Sequence, residues 1–165
     1  MVRRSTREVI EVSPGEALEL AGIRIHAVPA VHDGRRSPLS RPTEAVGYVI
    51  EAQRRVYFAG DTARFDEMAE LADLDAALLP IWGWGPRLGP GHMDPDQAAE
   101  AVALMRPRLV VPIHWGTFRP IGPAARDMRL RSDPARRFAA RVAQAAPGVV
   151  VRVLAPGESM TLADA

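Results

Sequence analysis

Imidazole and carboxylate groups are the ligands that zinc, iron and manganese accept from proteins, and this chain places a few of them selectively. Four histidines and no cysteine occur in 165 residues, so a metal site here is built from nitrogen and oxygen alone. His32 lies in PAVHDG, Asp61 in FAGDT and His114 in PIHWGTF, each just beyond an apolar, strand-like run. A metal held by such residues would support Lewis-acid and hydrolytic chemistry. Singly, each has an ordinary role too. A histidine after a strand serves as a hydrogen-bonded loop residue, and the aspartate of GDT as a turn former or helix cap. The coincidence of all three at strand ends points to a shared centre. The absence of cysteine also excludes disulfides, thiolate metal sites and a cysteine nucleophile.

The elements that would carry these residues alternate between strand and helix. Residues 8–12 and 17–20 read as short strands separated by the turn Ser13-Pro14-Gly15. In 23–28, Ile23, Ile25 and Ala27 share one face, and Arg24 and His26 the other. Residues 32–42 read as a loop, 46–51 and 56–60 as a hairpin closed around 52–55, 66–72 as a short helix and 75–81 as a buried strand. Residues 82–91, WGWGPRLGPG, hold too much glycine and proline for a regular element. Asp94 as cap, Pro95 in the first turn and an apolar face of Ala98, Val102 and Met105 predict a helix that Arg106-Pro107 ends. Residues 109–113 read as a strand covered on both faces, 116–133 as loop, 133–145 as a helix and 149–154 as a final central strand. The implied class is α/β, one domain over residues 1–165 with helices packed on a mixed sheet. Ligands bind such sheets at the C-terminal ends of strands, where the three candidates fall.

Composition narrows the partners. With 47% hydrophobic and 25% charged residues the chain is globular, and its net charge of +1 argues against a general nucleic-acid or membrane-surface binder. All the basic residues are arginine. Residues 119–141 carry seven of them against two aspartates, which reads as a solvated helix face and loop rather than an RNA surface. No apolar run approaches the roughly 20 residues that span a bilayer, and residues 1–11 lack an apolar signal core. The expectation is a cytoplasmic chain acting on a small molecule.

In this order and at these separations, PAVHDG, VYFAGDT, GHMDPDQAAEAV and PIHWGTF resemble the metallo-β-lactamase superfamily. Within it they look most like the branch of the N-acylphosphatidylethanolamine-hydrolysing phospholipase D and the L-ascorbate-6-phosphate lactonase. The resemblance covers residues 23–118 and implies the C-terminal part of an αββα sandwich. It also implies metal-assisted hydrolysis of a lactone, ester or phosphodiester at two ions, zinc first, with manganese or iron as alternatives. His32 is similar to the third histidine on the first metal, Asp61 to the bridging carboxylate and His114 to the histidine on the second metal. His92 resembles a histidine beside the substrate pocket, where it would orient or protonate the substrate. Trp84 and Arg87 are expected to line that pocket, the arginine suiting an anionic substrate. Trp82 reads equally as a pocket or a packing residue, Trp115 as a packing residue beside the site, Arg35 and Arg36 as solvated loop charges, and His26 as a surface residue of a strand.

One part of the pattern does not occur. The family signature HxHxDH, which supplies two histidines to the first metal and an aspartate and a histidine to the second, has no counterpart in these residues. Two protein ligands per metal, one of them shared, imply weak binding and little catalysis by this chain alone. The matching half of the sandwich would also be missing, leaving an apolar sheet face open unless a second copy or another chain covers it. A non-catalytic half-domain that pairs in this way is the competing reading.

Overall fold

In the computed structural model, which describes residues 9–35, 43–82, 88–116 and 129–162 (side chains of 129–133 excepted), seven strands form one sheet. They are β1 (Ala17–Leu20), β2 (Ile23–Ala30), β3 (Ala45–Glu51), β4 (Arg55–Phe58), β5 (Ala76–Pro80), β6 (Leu109–Ile113) and β7 (Val150–Val151), neighbours in chain order. Pairing is antiparallel from β1 to β4 and parallel from β4 to β7. Strands β2, β4, β5 and β6 therefore point the same way, and their C-terminal ends share one edge. Ala21 and Gly22 close the first hairpin, both at positive φ (51° and 79°), which matches the twist of the flanking strands.

The parallel strands need crossovers, and these all cover one face. A 3₁₀ turn (Asp66–Glu70) follows β4, α1 (Pro95–Met105) follows β5 and α2 (Arg129–Ala145) follows β6. Helix α1 starts as its sequence predicts: the Asp94 carboxylate accepts the Asp96 and Gln97 N–H groups, and the Gln97 side chain accepts the Asp94 N–H. It ends at Arg106 in the left-handed conformation. Val49, Tyr57, Ala77, Leu79 and Val110 of the sheet meet Val102 and Met105 of α1 and Phe138 and Val142 of α2 in a single core. Outside it, Asp96 pairs with Arg137 and Arg141 of α2, and these guanidinium groups hold its carboxyl below the usual range.

The opposite face is also apolar. By register, Leu18, Ile25, Ile50, Phe58, Leu78 and Val111 share it. Leu154 and Leu162 pack on Ala76, Leu109 and Val111 at one end, while Ile10 and Val12 line a groove with Leu18 and Ile25 at the other. Leu20, Ile23, Phe58 and Val150 are 38–57% exposed. Among the described residues this face is partly exposed, and the segments flanking the sheet lie over part of it.

Four elements differ from the sequence reading. Residues 9–12 form no strand; Gly15 and Glu16 bond Ala27 instead, so the chain joins the sheet only after the Ser13-Pro14 turn. The helix expected over 66–72 is a five-residue 3₁₀ turn. Helix α2 begins at Arg129, so the end of the expected 116–133 loop is helical and Pro134 lies inside, at the cost of one backbone bond. The last strand is two residues at the sheet edge, not a central strand over 149–154, because β6 is its one neighbour; Val150 and Val153 are both 44% exposed. No helix among the described residues is long and apolar enough to cross a membrane.

Candidate functional site

The site forms where the same-direction strands end. His32 follows β2, Asp61 follows β4, His92 lies in the connection after β5, and His114 follows β6. Buried neighbours hold each one in place. Ala59 and Thr62 flank the Asp61 turn and Met93 adjoins His92, all three with no exposure. The Thr62 hydroxyl accepts the Val31 N–H at 2.9 Å, and the Ala63 N–H donates to the Val31 carbonyl at 2.8 Å. These bonds tie the His32 loop to the Asp61 turn.

Glycine permits the closest approach. Gly91 has φ +85°, and a Cβ there would sit 3.0 Å from the His32 Cα. The Gly91 carbonyl accepts a hydrogen bond from His32 Nδ1 at 3.0 Å. That bond puts the proton on Nδ1 and leaves the Nε2 lone pair of His32 free to act as a ligand.

The donors converge. His32, Asp61 and His92 each present one ligand atom within 4.8 Å of the others, and all three are half-buried. His114 Nε2 lies 3.5 Å from Asp61 Oδ1. The rings of His32 and His92 meet edge to face with centroids 4.9 Å apart, and His92 and His114 are near parallel at 6.4 Å. His114 adopts φ +57°, a left-handed conformation costing a non-glycine residue about 1–2 kcal/mol. The strain sits where the chain leaves β6 and turns an imidazole toward Asp61. Such a set could bind one or more divalent cations through imidazole nitrogen and carboxylate oxygen.

The other named residues fall elsewhere. Trp84, Arg87 and Arg36 lie outside the described residues. Trp82 and Trp115 pack against the main core, and the Trp115 indole N–H donates to the Pro112 carbonyl at 3.1 Å. Arg35 pairs with Asp33 on the surface. His26 sits on β2 with Nε2 3.0 Å from Glu51. The resemblance had put His92 beside the substrate pocket, and it lies with His32 and Asp61; what the sequence reading missed is the fastening by Gly91 and Thr62. The available signal was a glycine directly before a histidine in a loop returning from β5.

A family model described as the Beta-lactamase superfamily domain matches residues 2–115, a span holding all four converging side chains. The chain belongs to the beta-lactamase superfamily. A UPF0173 metal-dependent hydrolase of Opitutus terrae is 34% identical over 163 residues, covering 93% of this chain and 63% of the relative. One of Pyrobaculum calidifontis is 39% identical over 145 residues, covering 86% and 54%. Among solved structures, the metallo hydrolase Igni18 of Ignicoccus hospitalis matches with a TM-score of 0.68 at 31% identity, over 95% of this chain and 62% of its own. The diiron β-hydroxylase CmlA of Streptomyces venezuelae shares the fold at a TM-score of 0.69 and 18% identity, over 93% and 34%. The mixed sheet with helices is thus a superfamily fold, and the chain spans 54–63% of the length of these two curated relatives.

Proposed function

We propose that the chain supplies one wall of the metal centre of a metal-dependent hydrolase, which cleaves a lactone, ester or phosphodiester as in the phospholipase-D and lactonase branch. One observation carries this reading: Asp61 has a donor atom of His32 within 4.8 Å and His114 Nε2 at 3.5 Å, the three residues coming from separate loops at one sheet edge. The donors fit a metal, because His32 has its Nδ1 committed to the Gly91 carbonyl and its Nε2 lone pair free. Zinc is the first choice for imidazole and carboxylate, with manganese or iron next.

In this reading His32, Asp61 and His114 hold metal. When bound, it supplies a Lewis acid that polarises the scissile carbonyl or phosphoryl group and acidifies water. Thr62 and Gly91 keep the two histidine-bearing loops in register with the Asp61 turn. Trp84 and Arg87 keep the substrate-binding role that the resemblance implies, the arginine suiting an anionic substrate. The remaining ligands come from an HxHxDH segment outside these residues, upstream in the same protein or on another chain. Its sheet would also cover Leu20, Ile23 and Phe58.

Translating the DNA upstream of Met1 and assaying the longer product against a lactone, ester and phosphodiester panel tests the proposal. The account expects turnover that a chelator removes and zinc restores, with little turnover by the 165-residue chain alone. Turnover insensitive to the chelator would contradict it. An in-frame stop just before Met1, with a chain that pairs with itself and binds no metal, would favour the half-domain.

A further inference from the structure

We propose that a groove behind the His32 loop binds a small alkylammonium ion as an effector, two glutamates taking the charged head and an apolar floor taking the chain. The site is separate from the candidate metal centre and does not depend on metal being held there.

The groove opens between the end of β2 and the 3₁₀ turn. Val28, Pro29, Val31, Phe65 and Leu71 supply its apolar lining, and its volume is about 430 Å³. Val28, Phe65 and Leu71 also pack against the main core, which places the groove on the helix-covered side of the sheet. A second sheet packed on the opposite face, over Leu18, Ile25 and Phe58, would therefore leave it open. The volume is that of a small-molecule site, about 300–1,000 Å³. A protein partner fits less well. An interface engages about 20–30 residues a side against the seven that line this groove, and Pro29 offers no N–H to an added peptide strand.

Charge selects the head group. Glu67 and Glu70 complete the lining, which contains no basic residue. Both lie on the 3₁₀ turn, where side chains three residues apart eclipse, so the two carboxylates project together. Arg64, the nearest basic residue in sequence, is held by Asp66 and Glu100 instead. Among the described residues neither Glu67 nor Glu70 has an ion-pair partner. Neighbouring carboxylates repel, and an ammonium between them turns that repulsion into attraction. An alkyl chain would cover Val31, which is 48% exposed, and the Phe65 ring adds a face that attracts cations.

The groove also backs two loops of the candidate site. Val31 directly precedes His32; its N–H donates to the Thr62 hydroxyl and its carbonyl accepts the Ala63 N–H. Phe65 follows two residues after Ala63. A ligand packed on Val31 and Phe65 thus braces the His32 loop and the Asp61 turn from behind.

An NMR titration of the full 165-residue chain with hexylammonium, hexanol and hexanoate tests this, since the three probes share a tail and differ in head-group charge. Hexylammonium should shift the amide signals of Val28, Val31, Glu67 and Leu71 and bind at least about tenfold more tightly than the other two. Hydrogen exchange of the Val31 and Ala63 amides should slow when it binds. The double variant Glu67→Gln, Glu70→Gln changes two exposed side chains, so it should keep the spectrum elsewhere and lose the preference for the cation. Equal binding of the three probes, no binding of hexylammonium, a preference that survives the double variant, unchanged exchange, or shifts confined to other parts of the chain would overturn the proposal. Groove signals that move on dilution of the protein without ligand would show a second copy as the occupant and overturn it too.

Discussion

Replacing Asp61 by asparagine removes metal binding and hydrolysis together while leaving the fold in place. The carboxylate is the one anionic donor in the cluster, within 4.8 Å of donor atoms of His32 and His92 and 3.5 Å from His114 Nε2. Asparagine keeps the shape but loses the charge that offsets a divalent cation. The expected result is a fall in metal affinity of at least about 100-fold in this chain, read by titration. In the longer protein, kcat/KM should fall by about 1,000-fold or more, equivalent to about 4 kcal/mol. The side chain is 38% exposed, so the metal-free stability should shift by less than about 1 kcal/mol. If Asp61→Asn kept wild-type affinity and turnover, the aspartate would be an ordinary turn residue of the GDT sequence and the centre would lie elsewhere.

Phe138→Ala should have the largest effect on stability. Phe138 is fully buried on α2 and belongs to the core that joins both helices to β3, β4, β5 and β6. Removing a buried aromatic ring costs its transfer free energy plus a cavity, about 3–5 kcal/mol together. For a domain of this size that corresponds to a fall in Tm of about 6–20 °C. Thermal unfolding of the metal-free protein measures it directly. A fall of only 1–2 °C would mean that α2 does not pack on α1 as described.

The fold was legible where a pattern and a partner coincide. Residues 109–113 are apolar throughout and form β6 with the same bounds, since a strand between two neighbours needs both faces apolar. Asp94, Pro95 and Gln97 announced α1 by local chemistry that needs no tertiary context. Alternation misled at 9–12 and apolar content at 149–154, because neither reports whether a neighbouring strand exists to pair with the segment. The start of α2 was misplaced for a related reason: Asp133-Pro134 has the composition of a helix start but lies within the helix.

The site divides in the same way. His32, Asp61 and His114 could be singled out because each ends a readable strand, and parallel strands bring their ends to one edge. The position of His92 was not readable from spacing. It depends on a contact between Gly91 and His32, 59 residues apart, made by a loop with no periodicity. The strain at His114 was likewise invisible, since left-handed backbone at a non-glycine residue leaves no mark in composition. The open apolar face could be anticipated in outline, but not the packing of Leu154 and Leu162 across it.

The most direct test of the metal centre is anomalous scattering at the zinc edge from zinc-soaked crystals of the chain. The account predicts ordered zinc at the Asp61 carboxylate, bound from this chain by His32, Asp61 and His114. Zinc found only at sites away from the C-terminal ends of β2, β4 and β6, or His32 and His114 turned away from Asp61, would contradict it.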